Sequence, residues 1–148
     1  MLAEQNKFPN NFMETTIFID QGVSEEARGY LLHREKAWRF ESMLELMKLY
    51  ESMFEVYNFP QQTHKLRINE DQKNKNLEDW ERSAMEANKI PSDNKPTFVV
   101  KVNYRQNASW QGSIRWLEKD IEKNFRSTLE LIKLMDSAVE SDNDTGWE

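Results

Sequence analysis

The sequence has no cysteine, four glycines, four prolines and two histidines among its 148 residues. The missing cysteines exclude disulfides, thiolate metal sites, thiol nucleophiles and cysteine-ligated clusters, and fit a reducing compartment. The glycines are too few and too scattered for a phosphate-cradling loop, since the closest pair, Gly22 and Gly29, has no lysine placed to follow it. His33 and His64 are the only imidazoles, so neither an HExxH site nor a multi-histidine metal cluster can be assembled. No apolar run approaches the roughly 20 residues of a membrane helix, and the start, MLAEQNKFPNNFMETT, lacks the basic-then-apolar order of a signal peptide. Positive charge is scarce as well. The net charge is -6, with six basic against ten acidic residues over 1–60, seven against seven over 61–96 and seven against nine over 97–148. No segment is a basic arm, which argues against nucleic acid or an anionic membrane as a partner. The expectation is a cytoplasmic, acidic protein with no metal and no cofactor.

What the chain does have is core material. Hydrophobic residues make up 38% of it, with 8 Phe, 5 Trp and 4 Tyr, enough for one hydrophobic core at this length.

The strongest pattern is an internal repeat. RFESMLELMKLYESMFE, from Arg39 to Glu55, and NFRSTLELIKLMDSAVE, from Asn124 to Glu140, share nine of 17 positions. Upstream, Ile17, Ile19, Gly29, Leu31 and Glu35 precede Val100, Val102, Gly112, Ile114 and Glu118 by 83 residues each. Apolar side chains alternate at Ile17 and Ile19, at Leu31 and His33, at Phe98, Val100, Val102 and Tyr104, and at Ile114 and Trp116, the period of half-buried strands. Both helical stretches open on a capping box, Ser42 to Glu45 and Ser127 to Glu130. The first then carries an apolar stripe of Met43, Leu46, Met47, Tyr50, Met53 and Phe54, widened by Leu44 and Leu49; the second carries Leu131, Ile132, Met135, Ala138 and Val139.

These signals predict an α+β fold built from an internally duplicated ββα unit: a four-stranded antiparallel sheet with two helices packed on one face, plus a short connector helix. Residues 15–56 form the first copy and 97–140 the second. Residues 57–96 connect them, with a helix near 76–89 docking by Trp80, and 1–14 and 141–148 are expected to be flexible.

Two surfaces stand out. Arg105, Gln106, Asn107, Trp110 and Gln111 fall in the hairpin of the second copy, where Arg115 and Arg126 can join them. Guanidinium groups, amides and an indole suit a planar or anionic ligand, and equally a protein contact, or simply a hairpin that closes the core. The other surface is apolar: Phe18, Tyr30 and Leu32 point away from the helix of the first copy, where the second copy has Lys101, Ser113 and Arg115. Three such groups need a cover, which the Trp80 helix or a second subunit would provide. Carboxylate pairs such as Glu25 with Glu26 lack any sign of a pocket to tune them, and His33 reads as a structural histidine. The expectation is therefore no enzyme and no catalytic residue, but a protein-interaction or adaptor module open to self-association. The alternative is a small-ligand-binding regulatory domain using the Arg105 to Gln111 hairpin.

SWQGSIRWLE, from Ser109, followed by NFRSTLELIKLMDSAVE resembles a small strand-strand-helix module of uncharacterised bacterial proteins, with a Trp-x-Gly strand and an F-x-S-x-x-E-L helix. The first copy matches only in part, because Ala27 stands where the second has Trp110. The resemblance implies the strand and helix arrangement and carries no activity or cofactor.

Overall fold

A computed structural model describes residues 12–20, 27–60, 77–141 and 147. The elements run β1 (Glu14–Ile19), β2 (Gly29–His33), β3 (Lys36–Phe40), α1 (Met43–Tyr57), α2 (Leu77–Arg82), β4 (Met85–Glu86), a 3-10 turn (Ala87–Lys89), β5 (Pro96–Tyr104), β6 (Gln111–Trp116), β7 (Ile121–Phe125) and α3 (Thr128–Ser141). All seven strands join one antiparallel sheet in the order β4-β3-β2-β1-β5-β6-β7.

This overturns the expected four-stranded sheet with two helices in a duplicated ββα unit. Among the described residues there are seven strands and three helices, and each long helix is preceded by three strands rather than two. Three strands were missed: β4, which falls inside the stretch expected as the connector helix near 76–89, where the helix ends at Arg82, and β3 and β7, which both hide for the same reason. Their hairpins turn on Arg34 (φ 60°) and Asp120 (φ 53°), where no Asn-Gly or Asp-Gly pair announces a turn. Their alternation is also weak: β7 puts Lys123 between Ile121 and Phe125 on the core side, opposite Ile114, Trp116 and Gly112 respectively.

The sheet has two unlike sides because paired residues of adjacent strands share a side. Register places Ile17, Leu31, Trp38, Phe98 and Trp116 in one row across five strands, and Phe40, Val100, Ile114 and Phe125 on the same side. The long helices bury that side with Leu46, Tyr50, Met53 and Phe54 from α1 and Leu131, Leu134, Met135 and Ala138 from α3. Leu44, included in the apolar stripe, is instead 64% exposed, as is Leu129 at 59%.

Local chemistry sets the helix starts. Ser42 Oγ accepts from Glu45 N–H and Ser127 Oγ from Glu130 N–H, as capping boxes require. The reciprocal bond in α1 comes from Glu41 N–H to Glu45 Oε1, one residue before the cap. Asn58, in the left-handed region, ends α1 and donates its N–H to the Glu55 carbonyl. Inside the core, Thr15 donates to the Val100 carbonyl, so its oxygen accepts the Tyr50 hydroxyl at 2.7 Å. That bond satisfies a fully buried phenol at the meeting of the two halves.

Gly29 and Gly112 occupy corresponding places, at the start of β2 and one residue into β6, each pressed against the strand before it. A Cβ would stand 1.7 Å from the Phe18 carbonyl oxygen at Gly29 and 1.9 Å from the Lys101 carbonyl oxygen at Gly112. Only a residue without a side chain fits there.

The ends of the described chain also join the core. Phe12 and Met13 are buried beside β2, and Trp147 is 3% exposed, stacked on Phe98 with its Nε1–H donating to the Leu134 carbonyl. The remainder of 1–14 and of the tail, the connector over 61–76, and His64 and the Glu25–Glu26 pair lie outside the described residues. Both sheet edges are poor templates for another strand: β4 has two residues, and β7 carries an inward-facing lysine.

Candidate interaction face

The hairpin residues are largely engaged within the chain. Trp110 is 5% exposed and lies edge-on to Tyr50 and Phe54, at ring separations of 5.5 and 5.2 Å. It therefore closes the core between the second run's hairpin and the first run's helix. Arg105, 7% exposed, donates through Nε to the Pro60 carbonyl and lays its guanidinium over Phe54, 5.1 Å from the ring centre. Burial lowers its pKa from the ordinary arginine value, with Glu51 and Glu55 opposing that shift.

Gln111 fastens the loop from inside. Its Oε1 accepts from Gln106 N–H, and its Nε2 donates to the carbonyls of Gln106 and Arg126. Asn107 and Ala108 both have φ of 57°, which makes the reversal. Ser109 Oγ then accepts from Thr128 N–H, and Trp110 N–H donates to Thr128 Oγ1, pinning the hairpin to the start of α3. Arg126 is exposed, and Arg115 makes an ion pair with Asp120 across its own hairpin. The seven residues thus form no single cluster: Arg105 and Trp110 face the core, Gln106, Asn107 and Gln111 make the loop, and Arg115 lies on the opposite side of the sheet.

That opposite side is where Phe18, Tyr30 and Leu32 come together. Register pairs Phe18 with Tyr30, and Leu32 with Thr16, which in turn pairs with Val99. Each of these five side chains is partly exposed. Next along the same rows come Arg39 beside Tyr30, and Arg115 beside Val99. The side is split between an apolar half on β1–β3 and a polar half of Lys101, Ser113 and Arg115 on β5 and β6.

The Trp80 helix does not cover it. Trp80 stacks on Trp38 at 4.2 Å and 19°, and Trp38 pairs with Leu31 on the core side. The ring pair is held by Trp38 Nε1–H donating to Ser83 Oγ at 3.0 Å. Among the described residues the three helices therefore lie on one side, and the Phe18, Tyr30, Leu32 face is left open.

One rim of this face is fixed by charge. The Arg39 guanidinium lies 4.9 Å from the Tyr30 ring centre and grips Asp20 with two hydrogen bonds, at 3.0 and 2.8 Å. Asn94 adds a third donor to Asp20 at 3.1 Å. The Arg39 bonds hold the Asp20 carboxyl below its usual value, and Asp20 with Glu41 raise that of Arg39. This is a bidentate arrangement, more rigid than a single surface ion pair.

An open cleft of about 620 Å³ lies on the core side, at the β2–β3 turn. Glu14, His33, Arg34, Trp38, Tyr57 and Glu81 line it. Among the described residues no group of three or more His, Asp or Glu side chains is placed to hold a metal ion, and no helix is long and apolar enough to cross a membrane. Compared with known proteins, the chain matches no family model, no curated protein and no solved structure.

Proposed function

We infer that the chain is a non-enzymatic protein-interaction or adaptor module that engages its partner through the open face of the sheet. The observation that carries this reading is the apolar half of that face: Phe18, Tyr30 and Leu32, continuous with Thr16 and Val99, with no described helix over them. A contiguous, partly exposed apolar patch with a charged rim is the usual form of a contact surface. Tyr30 under the Arg39 guanidinium supplies the residue pair that most often dominates binding energy. The blunted edges favour side-chain recognition over strand addition. The hairpin's internal bonds make it a poorer ligand site than this face. A cytoplasmic setting belongs to the same proposal, supported by the cysteine-free sequence.

A photo-crosslinking amino acid placed at Leu32 in cells of the source organism is expected to give a discrete adduct. Tyr30→Asp removes that adduct, and the same probe at Leu44, exposed on α1, does not give it. No adduct from Leu32, or the same adduct from Leu44, counts against the face.

A further inference from the structure

His33 is 2% exposed, and its place in the fold differs from that of its counterpart in the second run. There the corresponding residue, 83 positions on, is Trp116, packed against Trp147 with the Lys119 ammonium 5.9 Å from its ring centre. His33 instead closes a small aromatic cluster. Its ring meets Phe12 at 5.3 Å and Tyr57 at 5.7 Å, and Phe12 in turn meets Tyr57 at 5.0 Å and Phe59 at 6.2 Å. Nε2 lies 2.6 Å from the Phe12 carbonyl oxygen. A carbonyl can only accept, so the hydrogen of the neutral ring sits on Nε2 and any further proton goes to Nδ1. Through this one ring the entry to β1, the end of β2 and the end of α1 are tied together.

We propose that His33 is an acid-sensitive latch, which on taking up a proton at Nδ1 loosens Phe12 from between β2 and α1. The proton comes from solvent through the cleft that His33 lines. The inference is independent of the interaction face, which lies on the other side of the sheet.

The charged surroundings decide the direction. Arg34, on the adjoining turn, holds its guanidinium 5.2 Å from the Phe12 ring centre and repels a second cation nearby. Glu14 on β1, Glu35 on the turn and Glu81 on α2 line the same cleft and favour a cation, whereas Lys36 on β3 is engaged by Glu86 at 2.6 Å. Tyr57 stays neutral, its pKa raised by burial and then by the charge of Glu81. Burial outweighs the hydrogen bond to Phe12 and, with Arg34, holds the His33 pKa below its ordinary value of 6.5. The open form, with a normal imidazole, binds the proton more readily than the closed form. Opening is therefore promoted as the pH falls below 6.5, by at most about tenfold per pH unit, and levels off once the closed form itself titrates.

The test is amide hydrogen exchange and histidine NMR on the intact chain between pH 7.5 and 4.5, with exchange corrected for its intrinsic pH dependence. The expected result is an imidazole midpoint below 6.5, with protection lost at Met13 and at the end of α1 over the same range. His33→Gln keeps a donor for the Phe12 carbonyl but cannot titrate, so its protection at Met13 should be flat. His33→Phe, which lacks the donor, should leave Met13 less protected already at pH 7.5. Protection at Met13 that does not change with pH in the parent chain, or that falls equally in His33→Gln, overturns the latch.

Discussion

Gly112→Ala is expected to cost about 3–5 kcal/mol of stability, measured by urea denaturation, which is enough to unfold a domain of this size at moderate temperature. The added carbon would lie 1.9 Å from the carbonyl oxygen of Lys101, well inside contact distance. The obstacle is the backbone of β5, not a flexible side chain, so no rotamer change relieves it. Moving β5 away breaks its pairing with β6, in which Val102 faces Gly112 and Lys101 faces Ser113. Gly29→Ala meets the same obstacle at the Phe18 carbonyl and should cost a similar amount. Ser113→Ala, one residue along on the open side, is expected to change stability by less than about 0.5 kcal/mol. A cost below about 1 kcal/mol at either glycine would mean that the strands do not approach this closely.

Trp110→Ala should be almost as damaging, at about 3–5 kcal/mol, since it removes a buried indole from between Tyr50 and Phe54. The effect should not be additive with Phe54→Ala, because the second substitution opens a space the first has already emptied; a coupling of about 1 kcal/mol or more is expected from the double-mutant cycle. The same cycle weighs two roles for the hairpin. A residue placed there for a ligand would be lost at little cost to stability, whereas one that clamps α1 to the sheet would not. A loss under about 1 kcal/mol would return Trp110 to the surface.

Much of this architecture could be read from residue order, and the parts that could not fail for identifiable reasons. β1, β2, β5 and β6 declare themselves by alternation at Ile17 and Ile19, Leu31 and His33, Phe98 to Val102, and Ile114 and Trp116. The helix starts follow from Ser42 and Ser127. The third strand of each run does not, because Arg34 and Asp120 make tight reversals without glycine or asparagine, and Lys123 interrupts the inward row of β7. Trp147 and Phe12 were invisible as core residues because each lies outside the alternating and helical segments. Among the candidate residues, the orientation of Phe18, Tyr30 and Leu32 was legible from period two alone. The burial of Arg105 was not, since its acceptor is the Pro60 carbonyl, 45 residues away in the chain. The Trp80 helix was one of two covers expected for the apolar face, beside a second subunit, but the partner that decides its side, Trp38, sits on a strand the pattern concealed.

The functional reading depends on the sheet having one covered and one open side, and neighbouring residues of a single strand test this most directly. With a soluble paramagnetic agent added to the methyl- and aromatic-labelled chain, the signals of Leu32 and Tyr30 should broaden strongly. Those of Leu31 and Ile17, one residue or one strand away but under the helices, should stay sharp. Leu32 and Tyr30 protected to the same degree as Leu31 would contradict an open face.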